Sequence, residues 1–409
     1  MNSRARLWYL YDFANSFASV VFVFYFPLLF VEIGGRELIV GLAASFATLL
    51  LLAFLPPIGR WADGTGKRIP ILWVSSVAMS LILVCLAFLF DNGTSNQYLF
   101  IALYVAFQFC FQGSVSIYSS LLNDVAQGAD STVVSGKGVA FGQLGNAVAL
   151  AAVGPIVSGG SIFIGLNGKP LALFVGALLS FVLALPFLIK SSGGPVRSSG
   201  VFSFSYKQLL QKVVLQKPLL LFLIGTMLVM DAILTFQIYL TLYASKVFGL
   251  SDTLVTLAGI TALVFCIVGA VITKRLVHRI GSPYSVLRMA SGTYGFAFLL
   301  LGIVPASNPA LLLFTLLLLG ISYGVIFTTG RVVYASMTPA DEQSEYFSLY
   351  TLFERAASLV GPVVWVGSFW IFARFGEVIQ YRGSVLILML VAFVGFGILT
   401  KGQRIAQLK

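Results

Sequence analysis

Apolar residues fall into twelve runs of about twenty residues each, and short polar stretches separate the runs. The first six cover roughly residues 7–31, 38–58, 70–90, 98–121, 134–158 and 172–189, and the second six roughly 218–245, 253–273, 284–305, 309–330, 345–372 and 381–400. A helix needs about twenty apolar residues to cross the hydrocarbon core of a bilayer. The pattern predicts an all-α polytopic membrane protein with twelve transmembrane helices in two pseudo-symmetric six-helix halves.

Composition and charge agree with this class and give it an orientation. Hydrophobic residues make up 59% of the 409 residues and charged residues only 10%, against about 25% in soluble domains. With both termini inside, twenty of the 25 Lys and Arg residues lie on one side of the membrane, which the positive-inside rule assigns to the cytoplasm. We therefore expect a multi-pass protein of the cytoplasmic (inner) membrane, and its net charge of +11 requires no nucleic acid.

The segment 191–216 divides the chain between a first half, residues 1–190, and a second half, residues 217–409. It opens with Ser-Ser-Gly-Gly-Pro, which is typical of a flexible linker. Four apolar residues then share a helical face opposite Lys207, Gln211 and Lys212: Leu209, Leu210, Val213 and Val214. This pattern predicts an amphipathic helix on the cytoplasmic leaflet.

Two matches between the halves indicate a parallel internal duplication. The first run carries D-x-x-x-S-F from Asp12, and the seventh carries D-x-x-x-T-F from Asp231. The fifth run contains Gly154-Pro155, and the eleventh contains Gly361-Pro362. Both matches pair run n with run n+6, as a parallel duplication requires.

The loop between the second and third runs has the pattern G-x-x-x-D-x-x-G-K-R, formed by Gly59, Asp63, Gly66, Lys67 and Arg68. Its glycines permit a tight reversal, and its aspartate can meet a helix N-terminus near residues 342–346 or a basic side chain. A plain basic membrane turn is the alternative interpretation.

This loop resembles the signature of the major facilitator superfamily, although Gly64 stands where a basic residue usually follows the aspartate. The resemblance implies the major facilitator fold and alternating access around a midplane site. It also implies a gating role for the five loop residues, to which we add Arg331 and Arg355. A degenerate counterpart covers Lys274 to Gly281.

Three other stretches resemble a narrower branch, the autophagy-related vacuolar amino-acid effluxers and their bacterial relatives. They are Tyr11 to Ser16, Tyr118 to Asp124, and Arg331 through Pro339 to Gly361-Pro362. This resemblance implies solute export.

A polar stripe follows the fourth run at intervals of four residues: Tyr104, Gln108, Gln112, Ser116 and Ser119 or Ser120. It faces either a solute path or a neighbouring helix, to which it would hydrogen-bond. In the superfamily the first, fourth, seventh and tenth spans line the cavity, which favours the solute path. The candidate substrate-binding residues are therefore Asn15, Tyr104, Gln108, Gln112, Gln143, Asn146, Gln237 and Tyr350.

Three carboxylates within the runs are candidates for proton coupling: Asp231, Asp12 and Glu354. A charged group at mid-membrane costs about 2.5–3.5 kcal/mol on insertion scales, so it needs a partner or a function. Asp231 lies roughly 20 Å into its run at 1.5 Å per residue, and Asp12 lies nearer the surface. We expect Asp231 to matter more, with a structural hydrogen bond as its alternative role.

Other functional classes find little support. The chain has no G-x-x-x-x-G-K-[ST] motif for an ATPase, and one histidine with unpaired carboxylates does not indicate an enzyme. Three cysteines within apolar runs give no metal-like spacing, so we expect no cofactor or metal.

The sequence predicts a secondary active transporter, working as a monomer in the lipid bilayer, for a small polar organic solute such as an amino acid, coupled to protons. A facilitative uniporter, a drug or sugar exporter and a non-transporting receptor or scaffold are the alternatives.

Overall fold

The computed structural model describes residues 3–35, 37–94, 96–126, 130–158, 162–191, 205–250, 252–305 and 308–407. The first seven helices are α1 (Ser3–Glu32), α2 (Glu37–Thr65), α3 (Arg68–Asp91), α4 (Gln97–Ser120), α5 (Leu122–Ala126), α6 (Ser131–Ser158) and α7 (Gly168–Lys190). The others are α8 (Tyr206–Leu215), α9 (Lys217–Phe248), α10 (Asp252–Ile280), α11 (Pro283–Ile303), α12 (Pro309–Met337), α13 (Gln343–Ile371) and α14 (Glu377–Gln407).

The twelve apolar runs each correspond to one long helix, which confirms the all-α fold. Within the described residues, eleven of these helices are long and apolar enough to cross a membrane. The remaining one, α13, has 29 residues but carries Glu345, Glu354 and Arg355 in its first half. These charges lower its hydropathy without shortening it.

Several helices continue past the apolar run that predicted them. The predicted loop from Gly59 is mostly helical, because α2 continues to Thr65 and only Gly66 and Lys67 link it to α3. Gly66 has a φ of +69°, and Gly281 has a φ of +84° in the corresponding link between α10 and α11. Glycine adopts this left-handed conformation without strain and so ends both helices abruptly.

The chain forms two compact units. The first comprises Met1–Ala129, Phe141–Phe204 and Thr338–Leu352, and the second Asp130–Ala140, Ser205–Met337 and Phe353–Lys409. Most of each predicted half falls in one unit, while the beginnings of α6 and α13 fall in the other.

The same helix pairings build both units. In the first, α7 packs on α1 and α3, and α4 packs on α2 and α3. In the second, α14 packs on α9 and α11, and α12 packs on α10 and α11. An ion pair joins the first and last long helix of each unit, Glu32 with Lys169 and Lys246 with Glu377. The repeated arrangement is what two pseudo-symmetric bundles require.

Two smaller elements complete the described part of the chain. Strands β1 (Ile162–Phe163) and β2 (Leu166–Asn167) form an antiparallel hairpin whose turn residues, Ile164 and Gly165, both have positive φ. A 3₁₀ turn, Ala373–Phe375, precedes α14.

The predicted amphipathic helix is present as α8, but its apolar residues divide between two environments. Leu209 and Val213 are buried, whereas Leu210 and Val214 are more than half exposed. An α-helix turns about 100° per residue, so neighbours such as Leu209 and Leu210 cannot both face α9. Residues 192–204 of the predicted linker lie outside the described residues.

Candidate functional site

A buried arginine organises one polar site within the first unit. The Arg68 side chain is 2% exposed and forms ion pairs with Asp63 and with Asp124, whose Oδ2 accepts from Nη1 at 2.8 Å. Arg68 Nε donates to Ser344 Oγ at 2.7 Å. We call Asp63, Arg68, Asp124 and Ser344 the Arg68 network. It balances one buried guanidinium with two carboxylates, as burial of a charge requires.

Asp63 also caps the N-terminus of α13. Its Oδ1 accepts from the backbone N–H of Ser344 at 3.2 Å, and its Oδ2 accepts from that of Glu345 at 2.9 Å. The first backbone N–H groups of a helix have no partner within the helix and carry the positive end of its dipole. The aspartate thus lies at the helix N-terminus that the loop pattern indicated, between residues 342 and 346.

Serine pairs extend this contact along α4. Ser120 Oγ lies 3.0 Å from Ser344 Oγ, and Ser116 Oγ donates to Ser348 Oγ at 3.3 Å. For these two members of the polar stripe, the structure supports interhelical hydrogen bonding. In the sequence this contact is visible as two pairs of serines four residues apart, Ser116 and Ser120 on α4 and Ser344 and Ser348 on α13.

Close packing brings α2 against the same end of α13. A Cβ on Gly59 would lie 2.5 Å from the carbonyl oxygen of Ser344, so a side chain there would force the helices apart. The next residue, Arg60, pairs with Glu342 at 3.1 Å and with Glu345 at 3.3 Å. The sequence had not indicated Arg60, Asp124 or Ser348 as site residues, because their partners are distant in the chain.

The remaining predicted gating residues lie outside this network. Lys67 is exposed, with its Nζ 5.7 Å from the centre of the Trp61 ring. Arg331 and Arg355 are partly buried in the second unit.

A second polar site lies in the second unit, where α9 meets α13. Asp231 is 1% exposed and Thr235, one turn later on α9, is fully buried. A Cβ on Gly361 would lie 2.7 Å from Asp231 Oδ1 and would overlap Thr235 Oγ1. We call Asp231, Thr235 and Gly361 the Asp231 site. Only glycine allows α13 to approach these two side chains so closely.

The first unit repeats this geometry around Asp12. A Cβ on Gly142 of α6 would lie 3.2 Å from Asp12 Oδ2 and 3.4 Å from Ser16 Oγ. Both pairs, 12 with 231 and 142 with 361, are 219 residues apart. The glycine that packs as Gly361 does is therefore Gly142, whereas a Cβ on Gly154 of the same helix would meet nothing within 4 Å.

Several predicted substrate-binding residues lie in the first unit, mostly buried or partly buried. Tyr104 packs with Phe22 and Phe26 in an aromatic core, where its hydroxyl accepts from Gln108 Nε2 at 3.3 Å. Gln112 is 3% exposed, and its Oε1 has no hydrogen-bond partner in the described chain.

Three others lie on α1 and α6. Asn15 accepts a hydrogen bond from Ser114 and lines a small cavity together with Tyr11 and Ser76. Asn146 donates to Gln143 at 3.3 Å on α6.

Three other predicted residues lie near Tyr323 of α12. The tyrosine hydroxyl hydrogen-bonds the side chain of Gln237 on α9 and lies within electrostatic range of Glu354 and Arg355 on α13. We call these four residues the Tyr323 cluster. Tyr350, one turn before Glu354, belongs instead to the first unit, where its ring contacts Phe347 edge-on.

Two similar bundles of long apolar helices, each with polar side chains buried between its helices, define a class of polytopic membrane transport proteins. The chain belongs to the Major Facilitator Superfamily, whose family profile it matches over residues 9–362.

Relatives agree with this assignment. An uncharacterized protein of Aquifex aeolicus is 27% identical over 403 residues, which cover 96% of this chain and 95% of that protein. Autophagy-related protein 22 of Eremothecium gossypii is 25% identical over 161 residues, which cover 37% of this chain. The match spans about a third, 31%, of that fungal protein's length.

Among solved structures, the human organic anion transporter MFSD10 (TETRAN) superposes with a TM-score of 0.73. It covers 98% of this chain and 100% of its own chain at 14% identity. At this identity the likeness shows the fold alone.

Proposed function

We propose that this protein exports a small polar organic solute from the cytoplasm by alternating access, and that a cation bound at Asp231 drives the movement. The observation that carries the proposal is a fully buried carboxylate in an otherwise apolar helix, which is costly unless it serves a purpose. Its alternative role is a structural hydrogen bond, for which the backbone of Gly361 on α13 is the neighbouring group.

The Tyr323 cluster supports an amino acid or a similar zwitterion as the solute. Glu354 and Arg355 offer opposite charges at neighbouring positions of α13, and their side chains project about 100° apart. A guanidinium can bind a carboxylate in a bidentate manner, and a carboxylate can accept hydrogen bonds from an ammonium group. Tyr323 and Gln237 add neutral hydrogen-bonding groups beside them. The resemblance to autophagy-related effluxers favours the same class of solute.

A ligand screen on purified protein tests the solute class. At ten times its dissociation constant a ligand stabilises the native state by about 1.4 kcal/mol, so amino acids should raise the melting temperature measurably. Arg355→Gln should remove this shift, because the ligand carboxylate then loses its charged partner. The matched control is Arg374→Gln, at an exposed arginine of the 3₁₀ turn. A shift of equal size in both variants would count against the Tyr323 cluster.

Counterflow in liposomes that contain only this protein distinguishes a transporter from a receptor or scaffold of the same fold. A transporter should exchange labelled solute for unlabelled solute across the membrane. Binding in the screen without counterflow would favour the receptor.

Orientation supplies a further prediction. We propose that both termini and residues 191–216 face the cytoplasm of an inner membrane, because twenty basic residues then lie inside and five outside. A single cysteine introduced at residue 200, in a background without the three native cysteines, should resist impermeant maleimide in intact cells and react after lysis. Labelling in intact cells would reverse the orientation.

A further inference from the structure

The ends of five helices come together at one end of the second unit. A Cβ on Gly402 of α14 would lie 2.7 Å from Tyr284 Oη of α11 and 3.1 Å from Leu221 Cβ of α9. The next residue of α14, Gln403, donates from Nε2 to Ser285 Oγ at 2.6 Å. The starts of α9 and α11 therefore lie beside the end of α14, while α8 directly precedes α9 and the end of α10 directly precedes α11.

The basic residues at this end are not balanced by carboxylates. Residues 205–222, 271–290 and 395–409 contain no Asp or Glu. Their exposed basic side chains are those of Lys207, Lys217, Lys274, Arg275, His278, Arg279, Lys401 and Arg404. We call these residues the basic surface. Within the described residues, none of them forms an ion pair.

The corresponding link of the first unit has its charge neutralised by its own neighbours. Asp63, three residues before the glycine that ends α2, is buried and pairs with Arg68. His278 stands three residues before the glycine that ends α10, and it is exposed beside Lys274 and Arg275. The positive-inside rule counts basic residues whether or not they are paired, so it does not account for this difference between the units.

Helix α8 adds exposed apolar side chains to the same end. Leu210 and Val214 are 52% and 56% exposed, and Leu215 is 78% exposed. Leu210 and Val214 are four residues apart and so project from the same face, and Lys207 lies one turn before Leu210. A helix with exposed aliphatic side chains next to lysines is suited to the boundary between the headgroups and the acyl chains of a bilayer.

These two properties together select the partner. Lysine and arginine side chains bind phosphate groups through charge-assisted hydrogen bonds. A soluble polyanion would pair with the basic surface but would leave Leu210 and Val214 in water. An anionic phospholipid supplies both a negative phosphate and an apolar chain, and the cytoplasmic leaflet has a negative surface potential.

We propose that the basic surface and the exposed side of α8 bind anionic phospholipids of the cytoplasmic leaflet. The headgroup phosphates contact the basic side chains, and Leu210 and Val214 lie against the acyl chains. This binding attaches the segment between the two halves to the membrane. The choice of leaflet rests on the proposed orientation of the chain, whereas the binding itself depends on neither the orientation nor transport.

The test is binding of fluorescently labelled phosphatidylglycerol to the full-length protein in neutral detergent, compared with labelled phosphatidylcholine. The wild type should prefer phosphatidylglycerol by about tenfold or more. High salt should reduce this preference, because it screens exposed charges. The double variant Lys274→Gln with Arg275→Gln should weaken phosphatidylglycerol binding by about tenfold or more, since each basic residue near an anionic lipid surface contributes roughly fivefold.

The matched control removes one lysine and one arginine from the other end of the same unit, as Lys246→Gln with Arg374→Gln. Lys246 lies near the end of α9, Arg374 lies just before α14, and both are exposed. This double variant has the same net charge as the first and should bind phosphatidylglycerol as the wild type does. Equal losses in the two double variants, or equal binding of the two lipids by the wild type, would overturn the proposal.

Leu210→Ser combined with Val214→Ser distinguishes a lipid from a soluble anion. Both side chains are exposed, so their loss should leave the fold intact. This variant should bind phosphatidylglycerol about fivefold less tightly or worse, because two apolar side chains no longer leave water on binding. Inorganic phosphate and polyglutamate at constant ionic strength should not displace the lipid from the wild type. Displacement by either, with unchanged binding by the serine variant, would indicate a soluble anionic partner and overturn the proposal.

Discussion

Asp231→Asn should abolish gradient-driven accumulation of solute in proteoliposomes while sparing solute exchange. A tenfold cation gradient is worth about 1.4 kcal/mol, so with one cation per solute the wild type can accumulate its solute up to about tenfold. The amide can neither lose a proton nor balance a bound cation, so the accumulation ratio should fall to about one. The experiment imposes Na⁺ and pH gradients separately and follows labelled solute.

Asp12→Asn is the matched control, because Asp12 has the equivalent position in the first unit but is only partly buried. It should keep a substantial part of the accumulation. Asparagine has nearly the same shape as aspartate, so Asp231→Asn should keep the packing of α9 against Gly361 of α13. If Asp231→Asn accumulates solute as the wild type does, Asp231 has a structural role, and Glu354 or another group couples transport to the cation.

Asp63→Asn should release the beginning of α13 from α2, α3 and α4. Loss of one partner from a buried ion pair costs roughly 3–5 kcal/mol. Asp124 still pairs with Arg68 and asparagine can still accept a hydrogen bond, so we expect about 2 kcal/mol, or a ~30-fold change in a two-state equilibrium. If this contact closes the cytoplasmic side, the resting population shifts toward the inward-open state.

Spin labels at two exposed positions of the first unit, Asn123 and Ala340, report this release. Their distance distribution should broaden and move to longer values in Asp63→Asn. The matched control is Asp130→Asn, since Asp130 is exposed and accepts from the N–H of Thr132 at 2.9 Å at the start of α6. If Asp63→Asn changes neither the distance between the two spin labels nor transport, the predicted loop is only a basic turn between two membrane helices.

The family match bears on the general activity of this protein and not on its particular solute or ion. Membership of the superfamily makes transport the expected activity, but it identifies neither solute nor ion. The solute and the coupling ion are therefore proposals, which are based on the Tyr323 cluster and the Asp231 site of the second unit.

The sequence alone determined the fold class, the number of long helices and the presence of a buried carboxylate, Asp231, within one of them. These features follow from local rules, because about twenty apolar residues form a membrane-spanning helix wherever they occur in a chain. The distance of Asp231 from the start of its helix also follows from the sequence, because each residue of an α-helix adds about 1.5 Å along the helix axis. Helix ends were less accurate: α2 continues to Thr65 because the helix ends at a glycine with positive φ rather than where the apolar residues stop.

Only the tertiary structure decided which polar residues meet. Arg68 pairs with Asp124 and Ser344, which are 56 and 276 residues away in the chain. Asp231 adjoins Gly361, and Asp12 adjoins Gly142 rather than any residue near Gly154. Periodicity fixes the face of a helix on which a side chain lies, but the partner of that face depends on how the helices pack. That packing depends on close approaches at glycines such as Gly59 and Gly361, and the local patterns that contain these glycines do not tell which residues approach them.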